Sequence, residues 1–145
     1  MTGNLFLRFG ALCGLAAVSL TIYMQYQQDM KLSAVGNTTL MYGWISMMLA
    51  GLFYSSISTT SEYIETVGSR MSFSAGLHLI IALAGLIALI GGSAALALNL
   101  TYTGTIGGQT FTDFAWGEKV TFAGNVATGV AQLLFLLNVF RGTSR

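Results

Sequence analysis

Apolar residues run along this chain in four blocks, at about 5–26, 40–58, 73–100 and 120–140. Each block is at least about 18 residues long, the length needed to cross a hydrocarbon core of roughly 30 Å. Hydrocarbon offers no partner to free backbone N–H and C=O groups, so each block is predicted to be a helix. The alternation that a lipid-facing barrel strand would require is missing. The expected fold class is therefore all-α integral membrane, a single four-span domain over 1–145 built as a four-helix transmembrane bundle. The polar stretches between the blocks form loops 27–39 and 101–119 on one side and loop 59–72 on the other, with both termini on the side of 59–72.

The second outer loop is the least lipid-like part of the chain. Tyr102 to Ile106 and Gln109 to Phe114 are rich in Thr and aromatic residues around Gly107-Gly108, the pattern of a short β-hairpin with a glycine turn. An irregular Gly/Thr loop is the competing reading. A two-stranded hairpin is marginal alone in water, so Tyr102, Phe111, Phe114 and Trp116 are candidates for contact with a partner. In the inner loop, Glu62 and Glu65 with Arg70 read as a solvated connector.

Composition sharpens the class. Hydrophobic residues make up 54% of the chain and charged ones 8%, against roughly a quarter charged in a soluble domain. A net charge of +1 with no basic run excludes nucleic acid as an expected partner. Cations near span ends set orientation. Arg8, Arg70, Arg141 and Arg145 fall on one side and Lys31 and Lys119 on the other, so both termini are expected in the cytoplasm, at the plasma membrane or an endomembrane. The same count puts Tyr23, Tyr26, Tyr42, Trp44, Tyr102 and Trp116 at the outer interface, where amphipathic rings are stable. The block after Arg8 is long for a signal peptide and reads as a retained span. Cys13 is the only cysteine, which rules out an intrachain disulfide. The sequons Asn37-Thr38-Thr39 and Asn99-Leu100-Thr101 make Asn37 and Asn99 candidate glycosylation sites on the outer side.

Helices in lipid associate through close packing of small residues and a few polar contacts. Gly10 and Gly14, continued by Ala17, supply such a seam in the first span, Gly51 and Ser55 in the second, and Ala84, Ala88 and Gly92 in the third, with Gly85 and Gly91 beside them. The fourth span carries a polar stripe, Thr121, Asn125, Thr128 and Gln132, recurring at helical spacing. The stripe should face inward, either as interhelical glue or as the lining of a path for a small solute. His78, the one histidine, lies in the inner part of the third span. It reads as a hydrogen-bonded structural residue, since a metal or haem site would need ligands from a second chain.

No Asp, Glu or Lys lies at the middle of a span, which argues against ion-coupled transport. Proline is absent, so straight spans are expected. No catalytic, nucleotide or metal motif is present in the sequence, and neither enzymatic activity nor a cofactor is expected.

Four spans with short loops, termini inside, and a polar last helix ending in the basic tail Phe140-Arg141-Gly142-Thr143-Ser144-Arg145 resemble the MARVEL-type tetraspan group. The resemblance covers the whole chain at the level of topology. It implies a non-enzymatic organiser of membrane domains, vesicles or junctions. The chain lacks the paired loop cysteines and Trp-rich first loop of claudins, and the cysteine-bearing large loop of tetraspanins. It also lacks the embedded Glu of small multidrug transporters and the Arg/Asn/His pattern of microsomal glutathione-handling enzymes. The expected function is a tetraspan protein acting through protein and lipid contacts, as an organiser or as an accessory subunit. Its partners would be membrane lipids and either other membrane subunits or further copies of itself. The alternative is a passive pore or carrier lined by Asn125, Thr128 and Gln132.

Overall fold

The computed structural model describes residues 2–58, 67–100, 102–106, 109–113 and 115–143. The connector 59–66 with Glu62 and Glu65, the Gly107-Gly108 turn, Phe114 and Arg145 lie outside the described residues.

Four long apolar helical segments make the chain a multi-pass membrane protein: Thr2–Gln27, Ser33–Ile57, Phe73–Ala97 and Trp116–Arg141. Helix α1 covers Thr2–Gln27. The second span is composite: α2 (Ser33–Thr38), a π-helical segment (Thr39–Ile45) and α3 (Ser46–Ser58). Helix α4 covers Val67–Ala97 and α5 covers Trp116–Thr143. Between them, strands β1 (Tyr102–Ile106) and β2 (Gln109–Asp113) pair antiparallel with Tyr102 opposite Asp113 and Ile106 opposite Gln109. Trp116 closes the base of this hairpin, its Nε1–H donating to the Leu100 carbonyl at 2.9 Å.

The structure departs from the hydropathy reading: α4 begins at Val67, inside the expected inner loop 59–72, and two further differences lie in the second span. Residues 33–39, expected in an outer loop, are helical: α2 covers Ser33–Thr38, and the Thr39 hydroxyl donates to the Val35 carbonyl at 2.8 Å. That extension sets Trp44 about 16 Å along the span from Ser33 at 1.5 Å per residue. It packs against Gly14 near the middle of α1, so Trp44 sits at mid-helix and not at the interface. The second departure is the π-helical turn itself. Without proline the span is still irregular: the Ser46 amide reaches back five residues to the Met41 carbonyl, and the Ser46 hydroxyl donates to the same oxygen at 3.0 Å. A π-turn is a cause of local re-phasing independent of proline.

The spans pair as two antiparallel couples, α1 with the second span and α4 with α5, and α4 also borders α1 and α2. Packing follows a spacing of seven. Gly3, Gly10, Ala17 and Met24 are the buried positions along α1, with Phe6 between them. Gly117, Gly124, Ala131 and Asn138 are the buried positions along α5, with Thr128 between them. Such a recurrence suits left-handed packing near 20°. The expected seams are largely where contact occurs: Gly10 lies on Met48, Gly14 on Trp44, Gly51 on Leu7, Ser55 on Gly3, Ala88 on Gly124, and Gly92 on Thr121. Ala84 is an exception. It is exposed, and its neighbour Gly85 takes the contact, against Thr128. A spacing of four drifts off a contact line that a spacing of seven follows.

Candidate functional site

At the end of the bundle that bears the termini, side chains from all four spans converge. Tyr54 comes from α3, Ser74 and His78 from α4, Phe135 and Asn138 from α5, and Phe6 from α1. The chain reaches this arrangement because Tyr54, His78 and Asn138 fall on the buried line of their own helices, at 6%, 3% and 1% exposure. Burial of polar groups at this depth is tolerated only with partners, and each has them. The Ser74 hydroxyl donates to Asn138 Oδ1 at 2.7 Å, and Asn138 Nδ2 donates to the Tyr54 hydroxyl at 2.8 Å. Tyr54 Oη stands 2.9 Å from His78 Nδ1. The phenol that accepts from the amide keeps its own proton for Nδ1, and which of the two donates is set by the imidazole tautomer.

Aromatic rings enclose the network. Phe6 lies 4.8 Å from the His78 ring and 5.4 Å from Tyr54, centroid to centroid. Phe135 lies 5.6 Å from His78 and meets Phe53 edge-on at 5.5 Å. These are separations at which ring pairs attract beyond simple burial. The apolar core continues through Met47, Ala50, Ala75, Leu79 and Leu86.

Beside the network is a crevice of about 20 Å³, lined among others by Tyr42, Ser46, His78, Thr128 and Gln132. It has room for a water molecule. Tyr42 and Ser46 come from the π-helical turn and the residue after it, so that turn contributes one wall.

The polar stripe of the fourth span divides. Thr128 is buried and Gln132 half-buried, and both reach the crevice. Thr121 and Thr128 return their hydroxyls to their own helix, at Gly117 O (2.8 Å) and Gly124 O (2.9 Å), so neither bridges helices. Asn125, expected inward with them, is exposed on the outside of the bundle. The reason is angular: the buried line through Gly117, Gly124, Ala131 and Asn138 lies to one side of the stripe, and Asn125 is its far edge.

The other sequence-level candidates stand apart. Asn99 is exposed, just past α4, with a φ of 50°. Asn37 is exposed within α2. Tyr102 and Phe111 belong to β1 and β2, away from the network. Among the described residues no three His, Cys, Asp or Glu side chains gather as a metal site would require.

Ser74, Tyr54 and Asn138 escaped the sequence reading. The signal available for Asn138 was its place seven residues beyond Ala131 and fourteen beyond Gly124. For Tyr54 it was an isolated tyrosine at the C-terminal end of a span whose other amphipathic aromatics lie toward the opposite end. No family model matches this chain, and neither a curated protein nor a solved structure matches it.

Proposed function

We propose that this chain is a non-enzymatic membrane bundle that acts through contacts with protein and lipid, as an organiser of the surrounding membrane or as an accessory subunit of a larger assembly. One observation carries the reading: four polar groups at one end of the bundle are bonded to one another across three spans, Ser74 to Asn138, Asn138 to Tyr54 and Tyr54 to His78. Groups spent on holding helices together are not poised for a reacting molecule. The crevice beside them, at about 20 Å³, is far below the roughly 300–1,000 Å³ of a small-molecule pocket. That comparison favours contact over the pore or carrier reading.

In contrast, the outer faces are broad and apolar. Leu12, Leu15 and Ile22 of α1 and Phe122, Leu133 and Phe140 of α5 are each more than half exposed. The topology-level resemblance to MARVEL-type tetraspan proteins fits the same reading, with the termini and Arg8 and Arg141 in the cytoplasm and the β-hairpin outside. The hairpin, anchored by Trp116, is then the surface offered to an outer partner.

Extraction of the full chain into native-lipid discs without detergent, followed by mass measurement, tests the proposal. A larger partner in fixed stoichiometry supports the accessory role, and a homo-oligomer supports the organiser. A lone monomer in its own lipid overturns both. Solute flux through reconstituted vesicles, across a panel of ions, water and small neutral solutes, would overturn the contact reading in favour of the pore.

A further inference from the structure

Asn125 is an exposed carboxamide inside a membrane-spanning segment. It stands six residues beyond Lys119, about 9 Å into the bilayer at 1.5 Å per residue. Four threonine hydroxyls in these spans solve the same problem locally. Thr21, Thr39, Thr121 and Thr128 each donate to the carbonyl four residues back. Among the described residues, the Asn125 side chain makes no hydrogen bond within the chain. Lipid tails offer it none.

One turn further on, Gly129 has nothing within 4 Å of the position a Cβ would take. It differs in this from Gly117 and Gly124, whose contacts with Leu96 and Leu89 form the α4 seam. Asn125 and Gly129 thus share the side of α5 turned away from α4. Phe122 and Leu133, at 71% and 62% exposure, stand above and below as ridges around the gap at Gly129.

We infer that this face of α5 is the contact between two copies of the chain, related by a two-fold axis along the membrane normal, with Asn125 against Asn125 and Gly129 at the closest approach. The inference rests on the reading that the bundle acts through protein contacts. Copies inserted with the same topology carry α5 parallel, so a residue near the axis meets its own counterpart at the same depth. A carboxamide holds both donors and an acceptor, and two of them facing each other satisfy one another. A charged residue, which only donates or only accepts, would lack that self-complementarity, and a threonine hydroxyl is satisfied within its own helix. Gly129 lets the backbones approach closely enough for the amides to meet, the role small residues take between membrane helices. A different membrane subunit would have to present its own amide or hydroxyl at the matching depth, whereas a second copy brings one by symmetry.

The test uses the full chain in lipid vesicles, with single-molecule photobleaching counting copies across protein-to-lipid ratios. Wild type is compared with Asn125→Leu, Asn125→Gln and Gly129→Leu. The expected result is a dimer that Asn125→Leu weakens about tenfold in dissociation constant, the equivalent of about 1.4 kcal/mol. Gly129→Leu weakens it at least as much, and Asn125→Gln, which keeps the amide, stays within about threefold of wild type. Both positions are exposed, so these variants keep the fold, and helical circular dichroism in the same vesicles verifies it. A dimer indifferent to Asn125→Leu and Gly129→Leu overturns this inference and leaves the contact function standing. So does a single copy held by a different, stoichiometric subunit. A monomer at every density in native lipid overturns both.

Discussion

The hydroxyl of Tyr54 on the second span stands 2.9 Å from Nδ1 of His78 on the third. The amide of Asn138 on the fourth reaches the same oxygen at 2.8 Å. One oxygen atom therefore ties three spans, and Phe6 of the first closes over both rings. Leucine packs against leucine at many registers, and in lipid it packs against tails about as well. A hydroxyl with one acceptor and one donor partner is satisfied at one register only. The network gives the bundle a directional lock that its apolar surfaces lack.

Removing that oxygen should loosen the bundle without breaking its helices. Tyr54→Phe deprives Asn138 Nδ2 and His78 Nδ1 of their partner while leaving the ring contacts in place. Each orphaned buried group costs about 1–3 kcal/mol in soluble proteins, but interhelical bonds in membranes average nearer 0.6 kcal/mol. The membrane figure governs here, because the unfolded chain in lipid also finds partners, so the expected loss is about 1–2 kcal/mol. Unfolding by SDS titration in mixed micelles measures it, and an unchanged midpoint would show that the network is not stabilising.

The donor order makes a separate prediction for His78. If Tyr54 continues the order in which Ser74 and Asn138 donate, the ring carries its proton on Nε2 and accepts at Nδ1. Nitrogen-15 spectra of selectively labelled histidine, the only one in the chain, distinguish the two tautomers directly. The Nε2–H form should dominate in wild type, and Tyr54→Phe should release the preference. A dominant Nδ1–H form in wild type would reverse the expected direction of the Tyr54 bond.

Asp29 provides a contrasting case outside the spans. The Lys31 backbone N–H donates to its Oδ1 at 3.0 Å and the Lys31 ammonium stands 3.3 Å from Oδ2. The backbone bond, with the ammonium's help, holds the carboxyl below its usual 3.8. A depressed folded-state pKa stabilises above the unfolded value and loses that contribution as pH falls through the folded one. The difference in unfolding midpoint between wild type and Asp29→Asn should be small, flat from about pH 8 to 5, and closing below about pH 4. A difference that instead grew on acidification would contradict the direction of the shift.

How much of this was legible beforehand follows from which physical term each feature obeys. The four spans depend on unbroken apolar length, a property of the linear sequence, and they were legible in number and place, though the helices begin up to seven residues earlier, at Ser33 and Val67. The hairpin was legible from Thr and aromatic alternation around a glycine pair. The π-turn was not, because no residue type demands it: Thr39 to Ile45 read as an ordinary span, and within it Gly43 packs closely on Cys13 of α1 and Leu86 of α4. The polar network was half-legible. His78 stood out by chemistry, but its partner Tyr54 lies 24 positions away in sequence and Asn138, which bonds Tyr54, lies 60 away, and only the pairing of spans brings them together. The stripe at Thr121 to Gln132 was seen as a stripe but aimed too far inward, since the line of contact is set by α4 and not by polarity.

The helix seams yield the last prediction, because the glycines of one chain fall into two groups. A Cβ on Gly124 would sit 2.7 Å from the Leu89 backbone nitrogen, an atom that cannot move aside. At Gly91 and Gly76 there is nothing within 4 Å. Gly124→Leu should therefore force α4 and α5 apart, costing about 2–4 kcal/mol, above the usual overpacking range of about 1–3 because backbone is struck. Gly91→Ala and Gly76→Ala should stay within about 0.5 kcal/mol of wild type. Unfolding of the three variants in the same micelles checks the ranking. If Gly91→Ala proved as damaging as Gly124→Leu, general loss of glycine flexibility would explain the effect, and the seam between α4 and α5 would lose its place as the principal helix contact.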